Sequence, residues 1–142
     1  VKENILFGNP SATDEQILKY SKITGVDLIA NNLPDGFSTT LNERGEQLSG
    51  GQRQAITITR SIINEPKILL LDEPTSSMDS QTEQLVIQNL KKWMKNRTLI
   101  MATHRGQLLE LVDRVIVLDS GRIVADDKKE KFVERSSGKN GQ

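Results

Sequence analysis

The chain contains no cysteine, which excludes disulfides and thiolate metal sites and fits a reducing compartment. An excess of one charge is also missing. Nineteen lysines and arginines face nineteen aspartates and glutamates, so no global field draws the chain to nucleic acid or to anionic lipid. No nucleic-acid partner is expected. Long apolar runs are absent too: the longest, around Ile68-Leu69-Leu70-Leu71 and Val115-Ile116-Val117-Leu118, fall far short of the roughly 20 residues a membrane helix needs. Val1-Lys2-Glu3-Asn4 lacks the basic start and apolar stretch of a signal sequence, and there is no initiating methionine. The expectation is a chain that begins mid-protein. Finally, the phosphate-cradling pattern Gly-x-x-x-x-Gly-Lys-Ser/Thr occurs nowhere, and the single Gly-Lys, Gly138-Lys139, has no glycine at the right distance upstream.

What is present is organised around two stretches. The first is Leu48-Ser49-Gly50-Gly51-Gln52-Arg53-Gln54. Its Ser-x-x-Gln spacing reads as a helix N-cap with a capping box, so a helix starts at Ser49. The glycines remove side chains where the backbone approaches something closely, and first-turn N–H groups have no partner within a helix. Such an end suits a phosphate, through bare amides, the Ser49 hydroxyl and the helix dipole. The second stretch, Ile68-Leu69-Leu70-Leu71-Asp72-Glu73-Pro74, is too short for a helix and reads as a buried strand with two adjacent carboxylates at its C-terminal end. Magnesium and a base would sit there.

At 142 residues the chain is one domain or less, with a length that normally buries over half of its unfolded surface. Ser11 and Thr13 are candidate caps for a helix carrying Ile17, Leu18, Tyr20 and Ile23, with Glu15 and Lys19 spaced to pair and Gly25 to stop it. A second short helix is expected over residues 26–32, then a turn at Leu33-Pro34-Asp35-Gly36. The helix from Ser49 places Ala55, Ile58 and Ile62 on one face and Ile56, Thr59 and Ile63 beside it, and ends before Pro66. Asp79 or Ser80 caps the next helix, with Ser80-x-x-Glu83 as a second capping box and Val86, Leu90, Trp93 and Met94 facing inward. Residues 98–103 form another apolar strand with His104 at its end, followed by a short helix over 106–112. Two strands, 114–118 and 122–125, are joined across Asp119-Ser120-Gly121 as a hairpin. A short helix near 129–134 precedes a Gly/Ser-rich tail, residues 135–142, expected to be disordered.

Leu48 to Gln54, Leu69 to Pro74, Ser77-Met78-Asp79 and Thr103-His104 resemble the signature motif, Walker B strand, D-loop and H-loop of an ATP-binding cassette (ABC) ATPase, in that family's order and near its spacing. Around Asn42-Glu43-Arg44-Gly45-Glu46 and in the segment from Asp119 to Asp126 the chain is similar to exporter cassettes, most of all those of bacterial type I protein secretion. The resemblance implies a partial P-loop NTPase fold of the α/β class. Core strands of a parallel sheet with helices (about residues 65–134) would adjoin a helical signature subdomain (about 9–64), with the Walker A half missing. Residues 2–8 resemble the segment that follows the family's Q-loop, so truncation is the simplest account of the missing motifs, and apolar strand faces would be left uncovered.

The resemblance also assigns roles. Asp72 would hold Mg²⁺ and Glu73 would polarise the attacking water, with His104 reaching the γ-phosphate. Ser49, Gly50, Gly51 and Gln52 would bind ATP seated on the opposite cassette, and Asp79 would bridge that dimer interface. The implied partners are a second cassette and the transporter's transmembrane domain, in the same polypeptide, which the loop of residues 40–46 would face; the implied place is the cytoplasmic face of the bacterial inner membrane. Asn42 stands where the family usually has glycine, and asparagine tolerates a left-handed backbone. Arg53 and Arg60 read as a solvated face or structural ion pairs ahead of phosphate ligands. Two rivals remain at this point: a signature-bearing interaction module that does not hydrolyse ATP, and a non-transport ABC ATPase, against which the exporter-like loop and neutral charge both count.

Overall fold

The computed structural model describes residues 1–132. The expected tail at 135–142 lies outside them, and the helix expected near 129–134 is seen as helical residues from 130 to 132, where the description ends. The chain forms two compact units, Val1–Ala102 and a second that begins at Thr103.

In the first unit α1 (Lys2–Leu6), α2 (Asp14–Thr24) and α3 (Val26–Asn31) precede α4 (Gly50–Ile62), β1 (Ile68–Asp72), α5 (Ser80–Trp93) and β2 (Thr98–Ala102). Thr13, not Ser11, caps α2. It does so with a full capping box in which its hydroxyl accepts from the Gln16 N–H and the Gln16 side chain accepts from its own. Gly25, at φ +78°, ends α2 and turns the chain straight into α3, a left-handed backbone that favours glycine. The apolar faces of α2, α4 and α5 meet in a core of Ile17, Tyr20, Ala55, Ile58, Ile62, Val86 and Leu90, all nearly inaccessible. Fully burying each such side chain contributes about 1.5–3 kcal/mol.

Inside this core the hydroxyls of Thr24 and Thr59 lie 2.6 Å apart, and Thr59 also reaches the Ala55 carbonyl at 2.9 Å. The Thr59 hydroxyl therefore joins α4 to α2. Lys19 does not pair with Glu15 as the four-residue spacing suggested. Its ammonium lies 3.4 Å from Glu65, beyond the end of α4, and the Tyr20 hydroxyl bonds the same carboxylate. The Glu65 oxygen thus accepts from two donors, Lys19 and the Tyr20 hydroxyl, and the phenol, followed by the ammonium, holds the Glu65 carboxyl below its usual range.

Strands β1 and β2 are parallel and in register from Ile68 opposite Thr98 to Asp72 opposite Ala102. Leu69 is buried, whereas Leu70 is 70% exposed and its register partner Ile100 is 56% exposed. One apolar face of the pair is therefore open. Met94 is buried as expected, but Trp93 is only half-buried, and its ring carries the Arg97 guanidinium 4.2 Å from its centre.

The second unit holds a 3₁₀ segment (Gly106–Leu111) and an antiparallel hairpin, β3 (Arg114–Asp119) and β4 (Arg122–Lys128). Its two-residue loop places Ser120 at φ +48° and Gly121 at +76°, the turn that matches strand twist. β4 continues past the expected Ala125 because Arg114 clasps Asp126 with two hydrogen bonds, 2.6 and 2.5 Å.

Candidate active site

Ser49 has an extended backbone, and its Oγ accepts the Gln52 N–H at 3.1 Å while the Gln52 side-chain oxygen accepts the Ser49 N–H at 2.9 Å. The capping box read from the sequence is present in full. Within it the Ser49 oxygen serves as acceptor, which leaves the hydroxyl proton to donate outward. Gln52 uses its carbonyl oxygen on the cap, and its N–H₂ remains a donor.

A Cβ added at Gly50 would lie 2.9 Å from the Ser77 Cβ; one at Gly51 would lie 2.9 Å from the Ser77 carbonyl oxygen and 3.1 Å from the Met78 Cα. What approaches these glycines closely is the chain's own Ser77-Met78 segment. Packing them there seats the start of α4 beside the start of α5, and Ser49, Gly51, Gln52 and Asp79 line one open cleft of about 410 Å³. Two helix N-termini thus border the same space, and their dipoles favour an anion in it.

Of the two residues offered as cap for α5, the structure selects Asp79. Its Oδ1 accepts the N–H groups of Gln81 (3.0 Å) and Thr82 (2.9 Å), and its Oδ2 accepts the Thr82 hydroxyl at 2.7 Å. These bonds, those from Thr82 foremost, hold the Asp79 carboxyl below its ordinary value. The second capping box is not formed as read. With Asp79 at the cap, Glu83 falls one residue too far into the helix for that role, and it is buried with the Thr75 hydroxyl donating to it at 2.5 Å.

Asp72 ends β1 with its side chain exposed, and Glu73 follows half-buried at φ +43°. Its N–H donates to the Ala102 carbonyl at 2.9 Å, which continues the β1–β2 ladder by one bond. Among the described residues no group of three or more histidine, aspartate or glutamate side chains could hold a metal alone. A lone exposed carboxylate fits an ion that takes its other ligands from phosphate and water, as magnesium does. His104 lies two residues past β2, in the second unit, and is exposed.

Arg53 donates to the carbonyls of Leu48 (2.6 Å) and Gly45 (3.3 Å), and Arg60 to the carbonyl and side-chain oxygen of Asn4, both at 2.9 Å. Each anchors backbone, a structural role without an ion pair. Asn42 is not left-handed; its side-chain oxygen accepts the Glu46 N–H at 2.8 Å and so braces the loop. Sequence reasoning assigned nothing to Gln54, yet its carboxamide reaches the Glu73 carbonyl (3.2 Å), the Ser76 hydroxyl (2.8 Å) and the Ser77 N–H (2.9 Å). Nothing local marks a contact across nineteen or more residues.

A parallel strand pair in which β1 leads into Asp72-Glu73, with capped helices meeting at an anion-favouring cleft, gives the chain an α/β architecture. The family profile described as ABC transporter matches residues 1–76, and the chain belongs to that family. It is 40% identical over 135 residues to YknV of Bacillus subtilis, described as an uncharacterized ABC transporter ATP-binding protein, covering 95% of this chain and 22% of the relative. It is 38% identical over 138 residues to LktB, the leukotoxin translocation ATP-binding protein of Mannheimia haemolytica, covering 97% of this chain and 20% of the relative. Among solved structures, a bacterial Atm1-family ABC exporter with ATP bound aligns at a TM-score of 0.85 and 31% identity, covering 95% of this chain and 24% of that one. The chain thus spans about a fifth of the length of the curated relatives it matches.

Proposed function

We propose that the chain is the signature- and Walker B-bearing part of an exporter's ATP-hydrolysing cassette, acting at the cytoplasmic face of the bacterial inner membrane. ATP would be held between two cassettes, and their closure would drive a transmembrane domain in the same polypeptide. The observation that carries this reading is the placement of the Ser49 cap, Gly51 and Asp79 on one cleft in a chain whose β1 ends in Asp72-Glu73. Likeness to a leukotoxin translocation protein supports protein or peptide as the class of cargo.

In this reading Ser49, Gly50, Gly51 and Gln52 present a hydroxyl, amides and an N–H₂ to the γ-phosphate of the nucleotide seated on the partner cassette. Asp79, already bonded within its own helix, uses remaining lone pairs across the interface. Asp72 would hold Mg²⁺, which when bound would supply charge neutralisation to the phosphates. Glu73 orients and polarises the attacking water, and His104 helps keep that water in line. Because the 142 residues contain no Gly-x-x-x-x-Gly-Lys pattern, we propose that by themselves they do not hydrolyse ATP.

The test compares Mg-ATP hydrolysis by the 142-residue chain, by a longer protein that joins it to a P-loop-bearing half-cassette, and by the Glu73→Gln and His104→Ala versions of the longer protein. Turnover only in the joined protein, lost with Glu73→Gln while ATP binding persists, is the expected result. Tight ATP binding by the 142-residue chain alone would sink the proposal, because the nucleotide site would then lie elsewhere.

A further inference from the structure

Glu73 is an unusual place for a positive φ. It is neither glycine nor asparagine, and at +43° it sits in a backbone region that ordinary side chains rarely adopt. Such conformations persist only where neighbouring structure fixes them. On its N-terminal side the Glu73 N–H is fixed by the Ala102 carbonyl at 2.9 Å. On its C-terminal side the Glu73 carbonyl accepts from the Gln54 Nε2 at 3.2 Å and, within the turn, from the Ser76 N–H at 3.3 Å.

Gln54 makes that second bond as part of a three-point grip. Its other contacts are Nε2 to the Ser76 hydroxyl at 2.8 Å and Oε1 from the Ser77 N–H at 2.9 Å. Both N–H donors and the oxygen of one carboxamide are therefore used on residues 73–77, where beyond the Glu73 N–H the strand ladder no longer satisfies the backbone. The same segment is pressed on α4 through Gly50 and Gly51. Glu73 is thus tied rigidly to the helix that Ser49 caps.

We propose that Gln54 is a positioning residue for hydrolysis: its carboxamide holds the Glu73 carbonyl, keeps that backbone left-handed, and so aims the Glu73 carboxylate. With both peptide groups flanking the Glu73 Cα pinned, the direction of its Cα–Cβ bond is set. Without Gln54 the carbonyl keeps only the longer turn bond from the Ser76 N–H, which lets the backbone rotate toward the right-handed region and swings the carboxylate away from the water it must orient. Because Gln54 belongs to α4, a shift of the signature helix is passed directly to Glu73. The inference rests on the proposed role of Glu73 as the water-activating group.

The experiment uses the intact P-loop-bearing protein with Gln54→Met, which keeps length and volume but has no hydrogen-bonding amide, and Gln54→Glu, which keeps an acceptor for Ser77 and loses both donors. Steady-state ATPase kinetics, equilibrium Mg-ATP binding and thermal melting are read for each, beside Glu73→Gln. A fall in kcat of about ten-fold or more, with KM and ATP affinity within about two-fold and the melting temperature retained, is expected for both variants. The Gln54→Glu loss should shrink as pH falls, since a protonated carboxyl regains one donor. An unchanged kcat in Gln54→Glu, or a kcat loss that merely follows lowered melting and rising KM, overturns the proposal. Retained turnover in Glu73→Gln overturns the reading of Glu73 itself, a failure the kinetics separate from failure of Gln54.

Discussion

A methyl group placed on Gly51 would sit 2.9 Å from the carbonyl oxygen of Ser77, and the obstacle is backbone on both sides. Gly51→Ala must therefore push α4 away from the Ser77-Met78 segment. We expect a loss of about 1–3 kcal/mol, read as a lower denaturation midpoint of the P-loop-bearing protein. Gly50→Ala meets the Ser77 Cβ at 2.9 Å, an atom fixed by its own backbone, and should cost about as much. Equal stability of Gly51→Ala and the parent would mean that the two segments part freely.

The buried pair Thr75 and Glu83 supports the next expectation. Glu83→Ala leaves the Thr75 hydroxyl without its acceptor in a site closed to water, at a cost of about 1–3 kcal/mol. Glu83→Gln keeps an acceptor oxygen and should cost less. A double-mutant cycle with Thr75→Val measures the coupling, and simple additivity would show that the hydrogen bond contributes nothing of its own.

Acid should weaken the fold through three identifiable carboxylates. Glu65 is held low by the Tyr20 hydroxyl and then Lys19, Asp79 by the Thr82 bonds, and Asp126 by Arg114. A depressed folded value means that each contribution is complete above the ordinary carboxylate range, about pH 4, and is lost as pH falls through the lower folded value. Melting temperature should therefore hold near neutrality and drop below that range. Asp79→Asn can still accept the Gln81 and Thr82 N–H bonds but does not titrate, so its melting curve should fall less between neutral and acid pH. A fall equal to the parent's would exclude Asp79 as a contributor.

These residues also mark how far the sequence could be read. Ser49 with Gln52, the Ser120-Gly121 turn and the apolar run of β1 were legible because each is decided within a few residues by cap geometry, turn chemistry or run length. Ser80 with Glu83 fitted the same capping rule and misled, because Asp79 took the cap and the buried Thr75 took Glu83. Lys19 chose Glu65 over Glu15 for a similar reason: Tyr20 makes the distant carboxylate the better partner. Gln54 shows the limit most sharply. Its place in the signature motif was plain, but its grip on Glu73 depends on packing between segments that no local pattern encodes.

The open face of β1 and β2 supports the last prediction. Ile68 and Leu70 lie two apart on one face of β1, and Leu70 stands opposite Ile100 on β2; all three are more than half exposed. Apolar side chains in such a row, on a two-stranded pair whose outer edges carry unpaired N–H and C=O groups, favour association with another chain. In the proposed intact cassette, strands of the P-loop half would cover them. The 142-residue chain alone should therefore self-associate in light scattering, and Leu70→Lys should reduce this. Within the joined protein the same substitution should instead destabilise, because it would bury an unpaired charge. A monodisperse 142-residue chain with a sharp, cooperative thermal transition would sink the argument, since a face that stays open without consequence needs no covering strand.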